Sequence, residues 1–523
     1  MAPSLPSTLH LSPNMPLQVK HVWEVACQSF PLSLDKRFRE HFQPAKSLLE
    51  DRIAAGDWIY GYSSGFGPLA RFHVSPEADS RLQQGLIYHL ATGVGPAFES
   101  EVVRAIMFTR LGQLLKGHSG IDIQLPNLLA ACLNVNLLPI IPSLGTVGAS
   151  GDLTPLAHMA LGLMGETDVC YKGVQKSGLL AFEASGLKPW QPKGREALAL
   201  VNGTAAMTAL AALNDTSART ALSISQLHVL IMGEVLEAYK EAWHPGIAEV
   251  RPHPGQIAVS NWLWEASASS NRLTPLSRSR WKSGSHKDAH PRQDAYTLRC
   301  APQVLGAVWD ICQHHGQVVS TELNAVSDNP VLLPEKELLL HGGNFNGQHI
   351  SFVSDYLQTG IVQMAVYAER RFARLTHPSL QDRLPAFLQS QRLGAQSGFM
   401  GAQVTTSALV ARMRSQAHPS SIQSISTNGD NQDIVSMGTL AALRTREQLD
   451  HLYDILAIEG IGLVQAMDLV SDGEWEGFSE QVRQYATRLR KVVPCLQEDR
   501  PLAPDQQNWK KVLRTHPKFW VTA

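Results

Sequence analysis

The undecapeptide GTVGASGDLTP, residues Gly145 to Pro155, places three glycines within seven residues and then enters an apolar helical pattern. A glycine-rich turn before a helix first suggests a phosphate cradle, because backbone N–H groups and the helix dipole attract anions. That reading fits poorly: no Lys-Ser or Lys-Thr follows the glycines, the preceding LPIIPS is broken by prolines, and no βαβ pattern surrounds it. Ala149, Ser150 and Gly151 offer a different chemistry. In a tight bend the amide nitrogen of Gly151, unobstructed by a side chain, can attack the carbonyl carbon of Ala149. Loss of water from the ring, and of the Ser150 hydroxyl as a second water, gives a 4-methylidene-imidazol-5-one, an alkene conjugated to carbonyl groups and strongly electrophilic. No ordinary side chain supplies an electrophile. Thr154 and Pro155 read as the N-cap and first residue of the helix PLAHMALGLM, whose positive end favours electron density gathering on such a ring. Taken alone, the tripeptide favours a plainer reading as a flexible turn with a helix cap.

The elements that must position these residues are mostly helices. Between Phe98 and Lys116 apolar residues recur at three-and-four spacing and stop at Gly117, predicting an amphipathic helix. Longer helical patterns follow at about Ala205 to Ala242, Gln303 to Ala325, Gln348 to Leu375 and Asn431 to Val470, while alternating strand patterns are rare. Helices of this length without sustained heptads point to a bundle in which helices bury one another. Ser267 to Arg292 is polar, basic and aperiodic, suiting either a solvated surface loop or an active-site lid. His286 and His290 within it have no carboxylate or cysteine at ligand spacing, so no metal is expected there.

Composition narrows the partners. The chain of 523 residues carries a formal charge of −1, which gives no electrostatic footprint for nucleic acid or an anionic membrane and favours a small neutral or zwitterionic ligand. Its six cysteines (Cys27, Cys132, Cys170, Cys300, Cys312 and Cys495) contain no CxxC pair, indicating neither a zinc site nor a disulfide framework. The first residues read as a Pro/Ser arm rather than a signal peptide, and the most apolar stretch is interrupted before membrane-spanning length. A cytoplasmic protein is expected.

GTVGASGDLTPLAHMALGLMGE, YGYSSGFGPLA, LALVNGTAAM, QDAYTLRCAPQVLG, ELNAVSDNPV, HGGNFNGQH and STNGDNQDIVSMG together resemble the aromatic amino acid ammonia-lyase and aminomutase family, in order and with family-like spacing from about Val19 to about Met467. The resemblance implies a mainly α fold, a long-helix bundle of the ammonia-lyase/fumarase-like superfamily, assembled as a homotetramer whose active sites draw on three subunits. It divides the chain into an arm (1–18), an N-terminal domain with the electrophile (19–210), a central bundle (211–480) and a C-terminal helical region (481–523). The electrophile of Ala149, Ser150 and Gly151 would form autocatalytically, without metal or nucleotide. Tyr60 would be the base that takes the β-proton, as a phenolate whose pKa neighbours lower. Arg299 matches the clamp for the substrate carboxylate, a role that suits a guanidinium fork. Tyr296 matches the tyrosine that assists amine transfer, Asn202 the amide that bonds the ring oxygen, and Asn329 and Phe345 further pocket positions.

His89 and Leu90 fall at the family's selectivity pair. His-Leu resembles tyrosine-using members, Phe-Leu those preferring phenylalanine, and Ser-His those using histidine; an imidazole can bond a phenol hydroxyl. Gln432 lies where histidine-using members carry glutamate. The resemblance thus implies a tyrosine ammonia-lyase that releases ammonium and trans-4-coumarate and acts more weakly on phenylalanine. A tyrosine 2,3-aminomutase would use the same parts, a phenylalanine or histidine ammonia-lyase would differ in the selectivity residues, and a non-catalytic helical scaffold would be expected to lack Ser150, Tyr60 or Arg299. The partners implied are an aromatic amino acid and further copies of the chain.

Overall fold

In the computed structural model, residues 7–75, 79–275, 293–380, 383–390, 394–471 and 474–515 are described. Four helices dominate: Ala205–Leu236, Ala301–Leu323, Gln348–Leu375 and Gly438–Ser471. The expected patterns sit on these helices, but tertiary structure sets the ends. The first stops short of Ala242 because Glu237 turns left-handed (φ 55°) and the Ala238 N–H folds back onto the Gly233 carbonyl at 2.8 Å. The last begins at Gly438 rather than near Asn431, because Thr427 and Gln432 close a turn and Met437 is left-handed. The polar 267–292 loop lies largely outside the described residues, as do His286 and His290.

The chain forms two compact units. The first is Met1–Thr216, His315–Asp355 and Pro419–Arg444; the second is Ser217–His314, Tyr356–His418 and Thr445–Ala523. In the first, the helix Ser100–Leu114 is buried on every side from Val102 to Leu114, and not amphipathic as its apolar spacing suggested. Burial on all sides obliges its polar side chains to find partners. Arg104 accordingly donates to the carbonyls of Val25 at 2.9 Å and Leu133 at 3.0 Å.

Short strands act as clips in this unit. Val94–Ala97 pairs antiparallel with Pro142–Leu144, joining the segment after the helix Asp79–Leu90 to the segment before the Ala-Ser-Gly turn. Val331–Leu333 and Leu338–Leu340 form a hairpin that returns residue 341 to the neighbourhood of Asn329. Among the described residues, no helix is long and apolar enough to cross a membrane.

The second unit is built around aromatic and aliphatic side chains that enclose a charged network. Arg371 grips Glu459 with two donors, at 2.6 and 2.9 Å. His228 bonds Glu459 at 2.8 Å through Nδ1 and Tyr485 at 2.7 Å through Nε2, and the Trp509 indole donates to the Tyr485 oxygen at 3.0 Å. Burial lowers the His228 pKa despite Glu459, so the neutral ring donates from Nδ1 and accepts at Nε2. Burial pushes Glu459 up, but the charge of Arg371 and the pairing with His228 override it and hold the carboxyl below its ordinary value. Both lowered pKa values mean that the unfolded chain binds more protons in acid, so the unit loses stability as pH falls below the ordinary histidine value of 6.5 and further as Glu459 protonates. Glu459→Gln leaves Arg371 buried without its counter-charge and is expected to cost about 3–5 kcal/mol. Chemical unfolding of the two proteins at neutral pH measures this, and an unchanged midpoint would contradict it.

Candidate active site

The Ala-Ser-Gly turn is held from several sides within the first unit. Gly148 and Gly151 are left-handed, with φ of 75° and 71°. A Cβ on Gly151 would stand 2.2 Å from the backbone oxygen of Gly203, so this position excludes every side chain. The Asp152 N–H donates to that same Gly203 oxygen at 2.8 Å. Thr146 receives the Gly148 N–H at 3.1 Å and donates to the Gly151 carbonyl at 3.2 Å. From the 436–437 segment, Ser436 donates to the Gly148 carbonyl at 3.1 Å and the Met437 N–H to the Val147 carbonyl at 2.9 Å.

The helix that follows is Leu153–Leu163, and its N-cap position is Asp152, not Thr154. Asp152 does not cap with its side chain. Its carboxylate is buried and accepts the Met207 N–H at 2.9 Å and the Thr439 hydroxyl, which ties the turn to the starts of two long helices. Burial raises its pKa to about 6, with the Thr439 and backbone bonds opposing. Pro155 falls in the first turn, where its missing N–H costs nothing.

Asn202 faces the turn. With its amide oriented so that both polar atoms are satisfied, Nδ2 donates to the Ser150 carbonyl at 3.2 Å and Oδ1 accepts the Asn329 N–H at 3.1 Å; the reverse orientation would set oxygen against oxygen. The Ser150 oxygen is the one a cyclised ring would keep. Asn329 Oδ1 accepts the Gly342 N–H at 2.8 Å, and the adjoining His341 accepts the Tyr60 N–H at 3.2 Å. A continuous polar path therefore runs from Ser150 to Tyr60. The tripeptide fits the cyclised form in two respects: Gly151 leaves its nitrogen unobstructed, and a donor stands at the Ser150 oxygen.

The Tyr60 hydroxyl accepts the Gly67 N–H at 2.9 Å. Burial raises the Tyr60 pKa above its ordinary value of 10, and the Gly67 bond only opposes this, so these neighbours do not produce the lowering expected for a phenolate. Gly67 itself lies against Asn428, 2.6 Å from where its Cβ would be. Asn428 belongs to the turn that carries Gln432, whose Nε2 donates to Ser150 Oγ at 3.3 Å while Thr427 donates to its Oε1 at 2.9 Å.

His89 and Leu90 end the helix Asp79–Leu90. The chain then reaches Gly93, whose N–H donates to His158 at 3.0 Å and whose Cα lies 3.0 Å from where a Gly145 Cβ would stand. His89 Nδ1 lies 2.8 Å from the Gly85 carbonyl, which fixes that nitrogen as the donor and leaves Nε2 as an acceptor. Leu90 packs partly against the core, and Phe345 is half-buried in the loop that contains His341 and Gly342.

Tyr296 and Arg299 belong to the second unit and occupy a single helical turn, Tyr296–Arg299. The guanidinium stacks 4.8 Å from the Tyr296 ring centre and donates to Gln293 at 2.7 Å, while its buried Nε has no partner among the described residues. Tyr296 is 68% exposed, and its carbonyl accepts the Tyr367 hydroxyl at 3.2 Å. Both side chains line a cavity of about 610 Å³ in that unit, together with Tyr239, Asp294 and Gln303.

Several residues of this arrangement gave no recognisable signal in the sequence. His341, Gly203, Ser436 and Thr439 act through partners far away in the chain, although an acid directly after the Ala-Ser-Gly tripeptide was a local cue to Asp152. A second acidic group, Asp450, His451 and Asp454, has the proximity of metal ligands. Its carboxylates are already paired, with Lys510 at 2.9 Å from each and Arg514 at 2.8 Å from Asp450.

The family model described as aromatic amino acid lyase matches residues 17–491. A tyrosine ammonia-lyase of Cereibacter sphaeroides is 40% identical over 510 residues, covering 97% of each chain. A histidine ammonia-lyase of Symbiobacterium thermophilum is 37% identical, covering 94% of this chain and 93% of its own. The solved structure of a phenylalanine aminomutase from Pantoea agglomerans superposes with a TM-score of 0.92 at 32% identity, covering 98% of this chain and all of the other.

Gly151→Ala tests the turn. A left-handed alanine costs roughly 1–2 kcal/mol in strain alone, and here its Cβ would also strike the Gly203 oxygen. The variant should lose more stability than that strain, whereas Gly173→Ala, left-handed with open space around it, should lose about the strain alone. Equal unfolding midpoints would contradict the close approach.

Proposed function

We propose, from the premise that this chain belongs to the aromatic amino acid lyase family and is a carbon–nitrogen lyase, that it eliminates ammonia from L-tyrosine to give trans-4-coumarate, with weaker action on L-phenylalanine. Elimination has two obstacles: the β-proton is scarcely acidic, and an amine leaves poorly. The 4-methylidene-imidazol-5-one that Ala149, Ser150 and Gly151 would form supplies an electrophile that takes the amine and makes it a better leaving group.

The remaining work falls to side chains. Asn202 holds the Ser150 oxygen, where a hydrogen bond stabilises accumulating negative charge. Tyr60 takes the β-proton through Oη; the Gly67 N–H at 2.9 Å favours the phenolate but does not outweigh burial, which holds the phenol above its ordinary pKa. Arg299 grips the substrate carboxylate through a fork that lysine lacks, with Tyr296 stacked beneath it to assist amine transfer. Phe345 and Leu90 supply apolar wall, and Asn329 and Gln432 brace Asn202 and Ser150.

The observation that carries the choice of tyrosine is the bond from His89 Nδ1 to Gly85, which leaves Nε2 to accept a phenol O–H. The likeness to a tyrosine ammonia-lyase supports the same choice. The likeness to histidine ammonia-lyases keeps that substrate as a rival, disfavoured by Leu90 and Gln432 in place of the histidine and glutamate that histidine-using members carry. The fold shared with an aminomutase keeps a tyrosine 2,3-aminomutase as the second reading, and product chromatography separates the two, with β-tyrosine favouring the mutase.

Exposed apolar side chains such as Ile422, Ile434 and Val250 support assembly into a homotetramer, which we place in the cytoplasm. A light-scattering mass of four chains is expected, and a monomer would contradict it.

His89→Phe tests substrate identity. It would leave the hydroxyl of bound tyrosine without a partner at a cost of about 1–3 kcal/mol, lowering kcat/KM for tyrosine by roughly one to two powers of ten. Phenylalanine brings no hydroxyl, so its kcat/KM should hold or rise, and preference should invert. If wild type prefers phenylalanine or histidine, or if the ratio does not move, the tyrosine assignment fails.

A further inference from the structure

Three charged side chains lie buried beneath the electrophile turn in the first unit: Arg110 and Arg195, each 1% exposed, and Asp328, 2% exposed. Arg195 Nη1 donates to Asp328 Oδ2 at 3.0 Å and to the Ser119 carbonyl. Asp328 Oδ1 accepts the N–H of the next residue, Asn329, at 2.7 Å. That N–H is shared with Asn202 Oδ1 at 3.1 Å, and Asn202 Nδ2 in turn donates to the Ser150 carbonyl at 3.2 Å. Arg110 holds the other end of Asn202, donating to its carbonyl at 2.8 Å and to that of Ala199.

Stability alone is a weak reason for this pair. Replacing both members of a buried ion pair by apolar residues of similar volume is often neutral or stabilising, because desolvation offsets the attraction. Arg195 is also poorly satisfied for a structural cation: its buried Nε and Nη2 have no partner among the described residues. What the pair does accomplish is to fix the Asn329 N–H. Its reach extends to the base as well, because burial and then the Arg195 charge lower the His341 pKa, and a neutral His341 is what accepts the Tyr60 N–H.

We propose that Arg195 and Asp328 are positioning residues for the electrophile: they fix Asn329, and through it the Asn202 amide, on the carbonyl oxygen of Ser150. The assignment rests on the reading that Ala149, Ser150 and Gly151 cyclise. A polarised, immobile Asn202 holds the Ser150 carbonyl in the orientation ring closure requires, and afterwards meets charge that accumulates on that oxygen without having to reorganise.

The test is the double variant Arg195→Met/Asp328→Leu, which removes both charges and leaves neither unpaired. Three quantities are read: the fraction of the peptide spanning residues 149–151 that has lost two waters, the near-ultraviolet difference spectrum against Ser150→Ala, and kcat and KM for tyrosine. The variant should fold with a near wild-type unfolding midpoint yet show incomplete dehydration or a displaced near-ultraviolet band. Its kcat should fall about tenfold while KM stays within about threefold. Arg195→Lys, which keeps a cation against Asp328, should recover most of the dehydration. A folded double variant with wild-type dehydration, band and kcat overturns the proposal, and so does one that fails to fold, since the pair is then structural. If the wild-type peptide has itself lost no water, the underlying reading of the tripeptide fails, an outcome distinct from failure of Arg195 alone.

Discussion

Two backbones meet at Gly151 and Gly203 more closely than any side chain permits, and the arrangement of the first unit around the Ala-Ser-Gly turn depends on that contact. A Cβ on Gly151 would lie 2.2 Å from the Gly203 oxygen, and one on Gly203 would lie 2.4 Å from the Arg110 guanidinium and 2.6 Å from Ser327. Closeness brings Asn202, the neighbour of Gly203, to the Ser150 carbonyl and lets the Asp152 N–H reach Gly203. Asp152 in turn anchors the start of the Ala205–Leu236 helix and reaches Thr439 on the Gly438–Ser471 helix. One forbidden side chain thus fixes where a turn, an amide donor and two helices stand. Glycine at residue 151 allows the approach, and under the proposed cyclisation it would also leave its own nitrogen free for attack.

Burial and polarity then work together around the turn. The donors that hold it come from Thr146, Ser436 and Met437, so its backbone groups are paired without a regular element to pair them. The hairpin at Val331–Leu340 has a comparable positioning role, since it returns His341 and Gly342 to Tyr60 and Asn329. The second unit presents Arg299 and Tyr296 as a stacked cation and ring beside a cavity of its own.

Much of this was legible in the sequence, for physical reasons. The long helices show as apolar periodicity because each buries one face or more, and the Gln348–Leu375 helix has the predicted bounds. Two other ends were misjudged because Glu237 and Met437 are left-handed, which no local propensity announces. The family was readable only from the tripeptide together with its neighbours, since Ala-Ser-Gly alone also makes an ordinary turn. Thr154 was read as the helix cap because nothing local shows that Asp152 holds that position with its carboxylate turned to groups 55 and 287 positions away. Arg195 and Asp328, 133 positions apart, were invisible for the same reason. The Tyr60 pKa ran opposite to expectation because burial acts on the phenol more strongly than a single N–H.

The most direct measurement is the mass of the wild-type peptide that contains Ala149, Ser150 and Gly151, compared with the same peptide from Ser150→Ala. A wild-type peptide lighter by two waters than its sequence requires, beside an alanine peptide that retains the hydroxyl-independent mass of its sequence, is the expected result. A wild-type peptide of unmodified mass, from protein that is active on tyrosine, would contradict the electrophile and with it the role given to the Gly151–Gly203 contact.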